Sequence, residues 1–239
     1  IGSTGYPVTL PLAAFFKMFG FGLAQARIYM VFWMAAVLLG IFWLVRKMGN
    51  HFESVTAVLL VVSFASFYGN GRSVMGEIPG MFFLLVSLGC FWAGRSLTAS
   101  GIFLGLAVIS KPSVFIFFIP AWVIFLAWEK RGFLIKSYKL GTGAVLPFLV
   151  WILIYLRPVF SWELWKKLGE HFANPYQEAG ISSWFNIKNN LAAFFHNPTL
   201  LYFSFFATLV FIAACVDKGH YRKNRFIFII LGWYSLFIF

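Results

Sequence analysis

Long apolar runs separated by short polar breaks dominate this chain. Residues 24–45, 53–68, 78–94, 140–156 and 199–216 are each predominantly apolar, and 226–239 starts another such run. A helix that is apolar all round is either buried in a large core or spans a membrane. Residues 7–19 (PVTLPLAAFFKMF) are too short to cross and are followed by Gly20 and Gly22. A crossing takes about 20 apolar residues, so this segment reads as a short helix lying at the interface. Residues 99–129 are nearly all apolar but hold Lys111 and Pro112 in the middle. The residue before a proline resists the helical conformation, so the pattern predicts two short helices, 100–110 and 113–128. Residues 157–197 form the longest polar stretch. Within it, Trp162, Trp165, Leu168 and Phe172 share one helical face, and Trp184, Ile187, Leu191 and Phe194 share another. Ser161 and Ser182 or Ser183 suit their N-caps. The expected fold is all-α: a polytopic transmembrane helix bundle with short interfacial helices on the non-cytoplasmic side, forming one transmembrane domain over residues 1–239. The chain starts at Ile1 without a methionine and stops inside an apolar run at Phe239, so it reads as a fragment truncated at both ends.

Composition strengthens the membrane reading. The chain is 61% hydrophobic, 21% aromatic and only 11% charged. Soluble domains are typically about 45–50% apolar and about 25% charged. The net charge of +12 then points to membrane orientation and anionic lipid. No basic-aromatic signature for nucleic acid is present. Cys90 and Cys215 lie inside apolar runs and read as buried thiols, not as a disulfide or a metal pair.

Charge placement orients the spans. Arg46, Lys47, Arg95, Lys130, Arg131 and the basic loop 217–225 sit in short breaks and are expected in the cytoplasm. Returning from Arg95 to Lys130 on the same side takes an even number of crossings. Residues 100–110 and 113–128 therefore form an out-and-back pair with Lys111 at the outer turn. The same layout puts Arg27, Arg72, Glu77, Lys111 and the outer loop 157–197 on the non-cytoplasmic side.

One polar stretch there carries the candidate chemistry. Residues 68–79 (YGNGRSVMGEIP) separate two spans and hold one arginine, Arg72, and one acid, Glu77. Gly69 and Gly71 are expected to open a turn, with Gly76 and Pro79 bracketing the acid. Pro79 suits the first turn of the next helix. Charged groups beside a bilayer are costly to desolvate and are functional candidates by default. Arg72 and Lys111 offer a planar fork and a point charge to a phosphate. Glu77 can serve as a general base, or hold a sugar hydroxyl or a divalent metal. No cofactor is identified, and no two histidines or acids have metal-ligand spacing. Arg27 is a further candidate substrate-binding residue on that side, with a structural reading as an interfacial snorkel as its alternative. Tyr6 and His171 complete the candidate substrate contacts, each with a packing role as its alternative.

The order of short motifs is also informative. It runs Tyr6-Pro7, Pro11-Leu12, Phe19-Gly20 and Ala26-Arg27, then Gly71-Arg72 and Glu77-Ile78-Pro79, then Gly101, Gly105 and Ser110-Lys111-Pro112. Over about the first 160 residues this resembles the integral membrane glycosyltransferases of the GT-C class. The likeness is to the bacterial group akin to dolichyl-phosphate-mannose protein mannosyltransferases and the lipid A aminoarabinose transferase. The resemblance implies transfer of a sugar from a polyprenyl-phosphate donor to a protein, lipid or glycan acceptor, with an active face that is periplasmic or extracellular on the cytoplasmic membrane. It places Glu77 at the family's second acidic position, and Arg72 and Lys111 at basic positions suited to the lipid phosphate. The family's catalytic aspartate precedes the Tyr-Pro segment, so this sequence is expected to start after it.

Two other classes compete. A transporter or flippase for a lipid-linked or anionic substrate places charge on broken helices near the midplane and often shows repeated halves. Lys111-Pro112 between short helices suits it, but no repeat is visible. The other is a scaffold subunit that has lost catalysis.

Overall fold

The computed structural model describes residues 4–63, 65–92, 96–116, 118–128 and 132–153, with isolated positions at 162, 163, 166, 192 and 196. The described residues are helical with no strand, as the apolar pattern predicts. The helices are α1 (Tyr6–Phe19), α2 (Leu23–Met48), α3 (His51–Ser63), α4 (Ala65–Arg72), α5 (Glu77–Trp92), α6 (Leu97–Ser110), α7 (Pro112–Phe115), α8 (Phe118–Trp128) and α9 (Phe133–Trp151). Two compact units divide them. One comprises Ile1–Ile116 with Gly132–Ser161 and holds α1–α7 and α9; the other comprises Phe117–Arg131 with Trp162–Phe239 and holds α8. The loop 157–197, His171 and the runs 199–216 and 226–239 lie outside the described residues, isolated positions aside.

Local chemistry sets several helix ends. Pro7 sits in the first turn of α1, and Gly20 stops that helix at φ 86°. At α3 a capping box closes the start: the Glu53 N–H donates to Asn50 Oδ1 at 2.9 Å, and the Asn50 N–H donates to Glu53 Oε2 at 3.2 Å. Ser96 caps α6 by accepting from the Ala99 N–H at 3.2 Å. Lys111 leaves the helix at φ −151° and ψ 88°, and Pro112 begins α7. The run 113–128 is thus represented by α7 and α8. The helix expected over 140–156 already starts at Phe133, so Lys136 and Lys139 belong to its first two turns.

One expectation is corrected. Gly69 and Gly71 do not open a turn; α4 runs through both to Arg72, and the loop is confined to 73–76. Glycine costs a helix only about 1 kcal/mol relative to alanine. Gly71 also has a packing reason, since a Cβ there would run into the Met34 thioether on α2.

In the first unit α6 is the central helix, packed against α1, α5, α7 and α9. It meets α9 along a seam of glycines. Gly101 faces the Leu140 carbonyl, Gly105 faces the Ala144 carbonyl and Pro147, and Gly143 faces the Thr98 carbonyl. Small residues four apart let two helix backbones approach closely, the usual solution where lipid removes the hydrophobic drive. Rising numbers meet rising numbers, so α6 and α9 run in the same direction. α5 runs against α6, clasped by two serines: Ser87 Oγ donates to the Ser100 carbonyl at 2.7 Å and Ser100 Oγ to the Ser87 carbonyl at 2.9 Å. α2 runs alongside α5, with Gly40 against Leu85 and Gly89 against Trp43.

Two helices are long and apolar enough to cross a membrane, Leu23–Lys47 and Phe133–Trp151. Only 22% and 17% of their apolar windows are buried. A soluble core helix hides its apolar face, whereas these expose theirs: Ile28, Val31, Phe32 and Leu39 on α2, and Val145, Leu146 and Leu149 on α9. Lipid is the medium that suits such a surface.

Candidate functional site

The directions of the helices collect several polar residues at one end of the first unit. That end receives the start of α1, the first turns of α2, the start of α5, the last turn of α6 and the later part of α9. A buried cluster of Val8, Tyr29, Met30, Phe67 and Ile78 lies beneath it. The Tyr29 hydroxyl donates to the Val8 carbonyl at 3.0 Å and ties α1 to α2.

Glu77 is the first residue of α5, where the helix dipole favours a negative group. Its Oε1 lies 3.1 Å from Lys111 Nζ, with the two side chains only 23% and 16% exposed. The approach is set by the backbone. A Cβ on Gly76 would collide with the Ser110 carbonyl and press on Lys111 Cβ, so only glycine lets the two chain segments meet this closely. The break at Lys111 turns its side chain off the α6 axis, toward the start of α5. Glu77 Oε2 is buried and has no hydrogen-bond partner among the described residues. An unsatisfied buried carboxylate oxygen costs free energy comparable to a lost hydrogen bond and invites a donor.

The other sequence candidates fall as follows. Arg72 ends α4, is exposed, and makes no ion pair with a described residue. Its guanidinium is therefore not what holds Glu77; that cation is Lys111, at the junction of α6 and α7. Tyr6 is half-buried, and its hydroxyl donates to the Pro147 carbonyl on α9 at 3.3 Å. Burial pushes its phenol above the ordinary value, which keeps it a donor. Next to it Gly5 packs on the Ile109 carbonyl at the end of α6. Arg27 is exposed on the second turn of α2 and has no charged partner there. His171 lies outside the described residues. Sequence reasoning did not anticipate the Ser87–Ser100 clasp or Gly76 as a contact; the signal for Gly76 was its position directly before the acid.

Chemically, the arrangement offers a carboxylate with one oxygen anchored and one open, an ammonium with further donor capacity, and an exposed guanidinium on a neighbouring helix. Such a set can take up a proton and stabilise a phosphate. Among the described residues no three histidines, cysteines or acids come together.

Comparison with known proteins places the chain. The family model described as dolichyl-phosphate-mannose-protein mannosyltransferase matches residues 8–162, well over half the length. No curated protein and no solved structure matches. The matched stretch contains α1 from its third residue onward and α2 to α9, and with them Glu77, Lys111 and Arg72. On this match, and with its apolar helices exposed as lipid would require, the chain belongs to the dolichyl-phosphate-mannose-protein mannosyltransferase family of membrane glycosyltransferases.

Proposed function

We propose that this protein transfers a sugar from a polyprenyl-phosphate donor to an acceptor at the outer face of a multi-pass membrane domain, with the Glu77–Lys111 pair in the site. The observation that carries the reading is the half-used carboxylate: Oε1 held by Lys111 and Oε2 buried with no partner. An acceptor hydroxyl or amine gives its proton to Glu77 and attacks the anomeric carbon. The new bond to that carbon forms as the bond to the phosphate oxygen breaks. The electron pair leaves on the polyprenyl phosphate, and a single displacement inverts the anomeric centre. Lys111 and Arg72 stabilise the charge that gathers on the leaving phosphate, in a setting drier than water. Charge placement along the chain supports the outer face as the working side.

The test is a transfer assay on the intact protein in lipid with a polyprenyl-phosphate sugar. Glu77→Gln keeps the shape but cannot take up the proton. Turnover should fall by roughly a hundredfold or more, with thermal stability retained. Near-normal turnover in a stable Glu77→Gln protein would reduce the pair to a structural tie.

A further inference from the structure

The turn between α1 and α2 carries an unusual load of exposed apolar surface. Met18 is 75% exposed, Phe19 57%, Phe21 89% and Leu23 67%. The tip is nonetheless ordered by its own contacts. The Gly20 N–H donates to the Phe16 carbonyl at 2.9 Å, and the Ala26 N–H donates to the Gly22 carbonyl at 3.1 Å. Gln25 Nε2 reaches back to the Phe19 carbonyl at 3.5 Å. Phe16 and Phe21 meet at 4.9 Å between ring centroids, and Phe15 and Phe19 at 4.6 Å. At Gly20 the left-handed φ of 86° makes the turn, and a Cβ there would meet nothing within 4 Å, so the tip projects into open space.

Its charge is one-sided. Lys17 and Arg27 flank the tip, both exposed, and residues 1–52 hold no Asp or Glu. Neither cation makes an ion pair with a described residue. α2 begins at Leu23 and is one of the two helices fit to span a membrane. Its 26 residues measure about 39 Å, against about 30 Å of hydrocarbon, so its first turn stands at the headgroup level.

We propose that this turn is an anchor for anionic phospholipid. Phe19, Phe21, Met18 and Leu23 enter the acyl boundary, and Lys17 and Arg27 bind the phosphates above them. Aromatic rings and aliphatic side chains favour that depth, while basic side chains favour the negative headgroup layer. The partner is the bilayer itself: the apolar tip is continuous with a spanning helix, and the flanking charge is complementary to the lipid. The anchor does not depend on the transfer reaction.

The experiment uses the full chain in nanodiscs, with Cys90 and Cys215 replaced by serine and an environment-sensitive fluorophore on Phe21→Cys. Blue-shifted emission shielded from iodide is expected. In mixed discs, brominated phosphatidylglycerol should quench it more than brominated phosphatidylcholine, by up to about fivefold for each basic residue. Lys17→Gln and Arg27→Gln, made singly, should each lower that preference, and Arg27→Lys should keep most of it. Iodide-accessible emission would overturn the anchor. Equal quenching by the two lipids, or loss of the preference on adding inorganic phosphate, would overturn the anionic bilayer as the partner.

Discussion

Lys111 has two claims on its single charge. It holds Glu77 Oε1 at 3.1 Å, and it is also a candidate for the lipid phosphate. An ammonium has three donors, so both contacts are open to it. Removing it has a different consequence from removing Arg72. Arg72→Ala takes a cation from the exposed end of α4 and should weaken donor saturation by about 10- to 150-fold, the scale of a charge-assisted bond. Lys111→Ala also leaves the Glu77 carboxylate uncompensated, so turnover should fall together with donor affinity. Lys111→Arg, which restores a cation, should recover part of the turnover. Steady-state kinetics with varied donor separates the two, and identical profiles for Arg72→Ala and Lys111→Ala would contradict distinct roles. Both residues stood out in the sequence because charges are rare there. Which cation meets the acid did not, because the pairing is made by packing α5 on α6 and not by nearness along the chain.

At the level of elements, two glycines on α9 make a matched comparison. Gly143 faces the Thr98 carbonyl across the α6 seam, whereas a methyl group at Gly141 would meet nothing within 4 Å. Gly143→Ala should therefore destabilise by about 1–3 kcal/mol, as overpacking does. Gly141→Ala should be neutral or stabilise by up to about 1 kcal/mol through helix propensity. Thermal midpoints of the two variants in the same detergent decide it, and a similar loss from both would mean that the seam is not close-packed. The helices themselves were legible as apolar runs, and the break at Lys111 was legible from Pro112. The behaviour of Gly69 and Gly71 was not. A glycine pair beside polar residues reads locally as a turn, and only the passage of Gly71 over Met34 shows why a helix uses it there.

At the scale of the whole molecule, the parallel course of α6 and α9 is the strongest constraint on how the chain is threaded. The concentration of basic residues in short breaks predicts the direction, with 217–225 expected inside and 157–197 outside. These two segments lie outside the described residues, so their sides rest on the sequence alone. A membrane-impermeant thiol reagent added from outside should modify Asn174→Cys and spare Asn224→Cys in a background without Cys90 and Cys215. The opposite pattern would reverse the orientation and move the Glu77 end to the cytoplasm.

The Glu77–Lys111 pair also bears on biosynthesis. α5 leaves the ribosome carrying a carboxylate, and its counter-charge is not made until α6 is complete. Until then the nascent helix has no partner for that charge, and insertion of α5 alone is disfavoured. The two helices are best accepted by the membrane as one hairpin, closed at its ends by the ion pair and the serine clasp. Nascent chains cut after residue 95 should therefore insert α5 less completely than chains cut after residue 116, as read by glycosylation mapping. Glu77→Gln should erase the difference, because the amide carries no charge to wait for. Equal insertion of the two wild-type lengths would show that the pair forms only after both helices are independently in place.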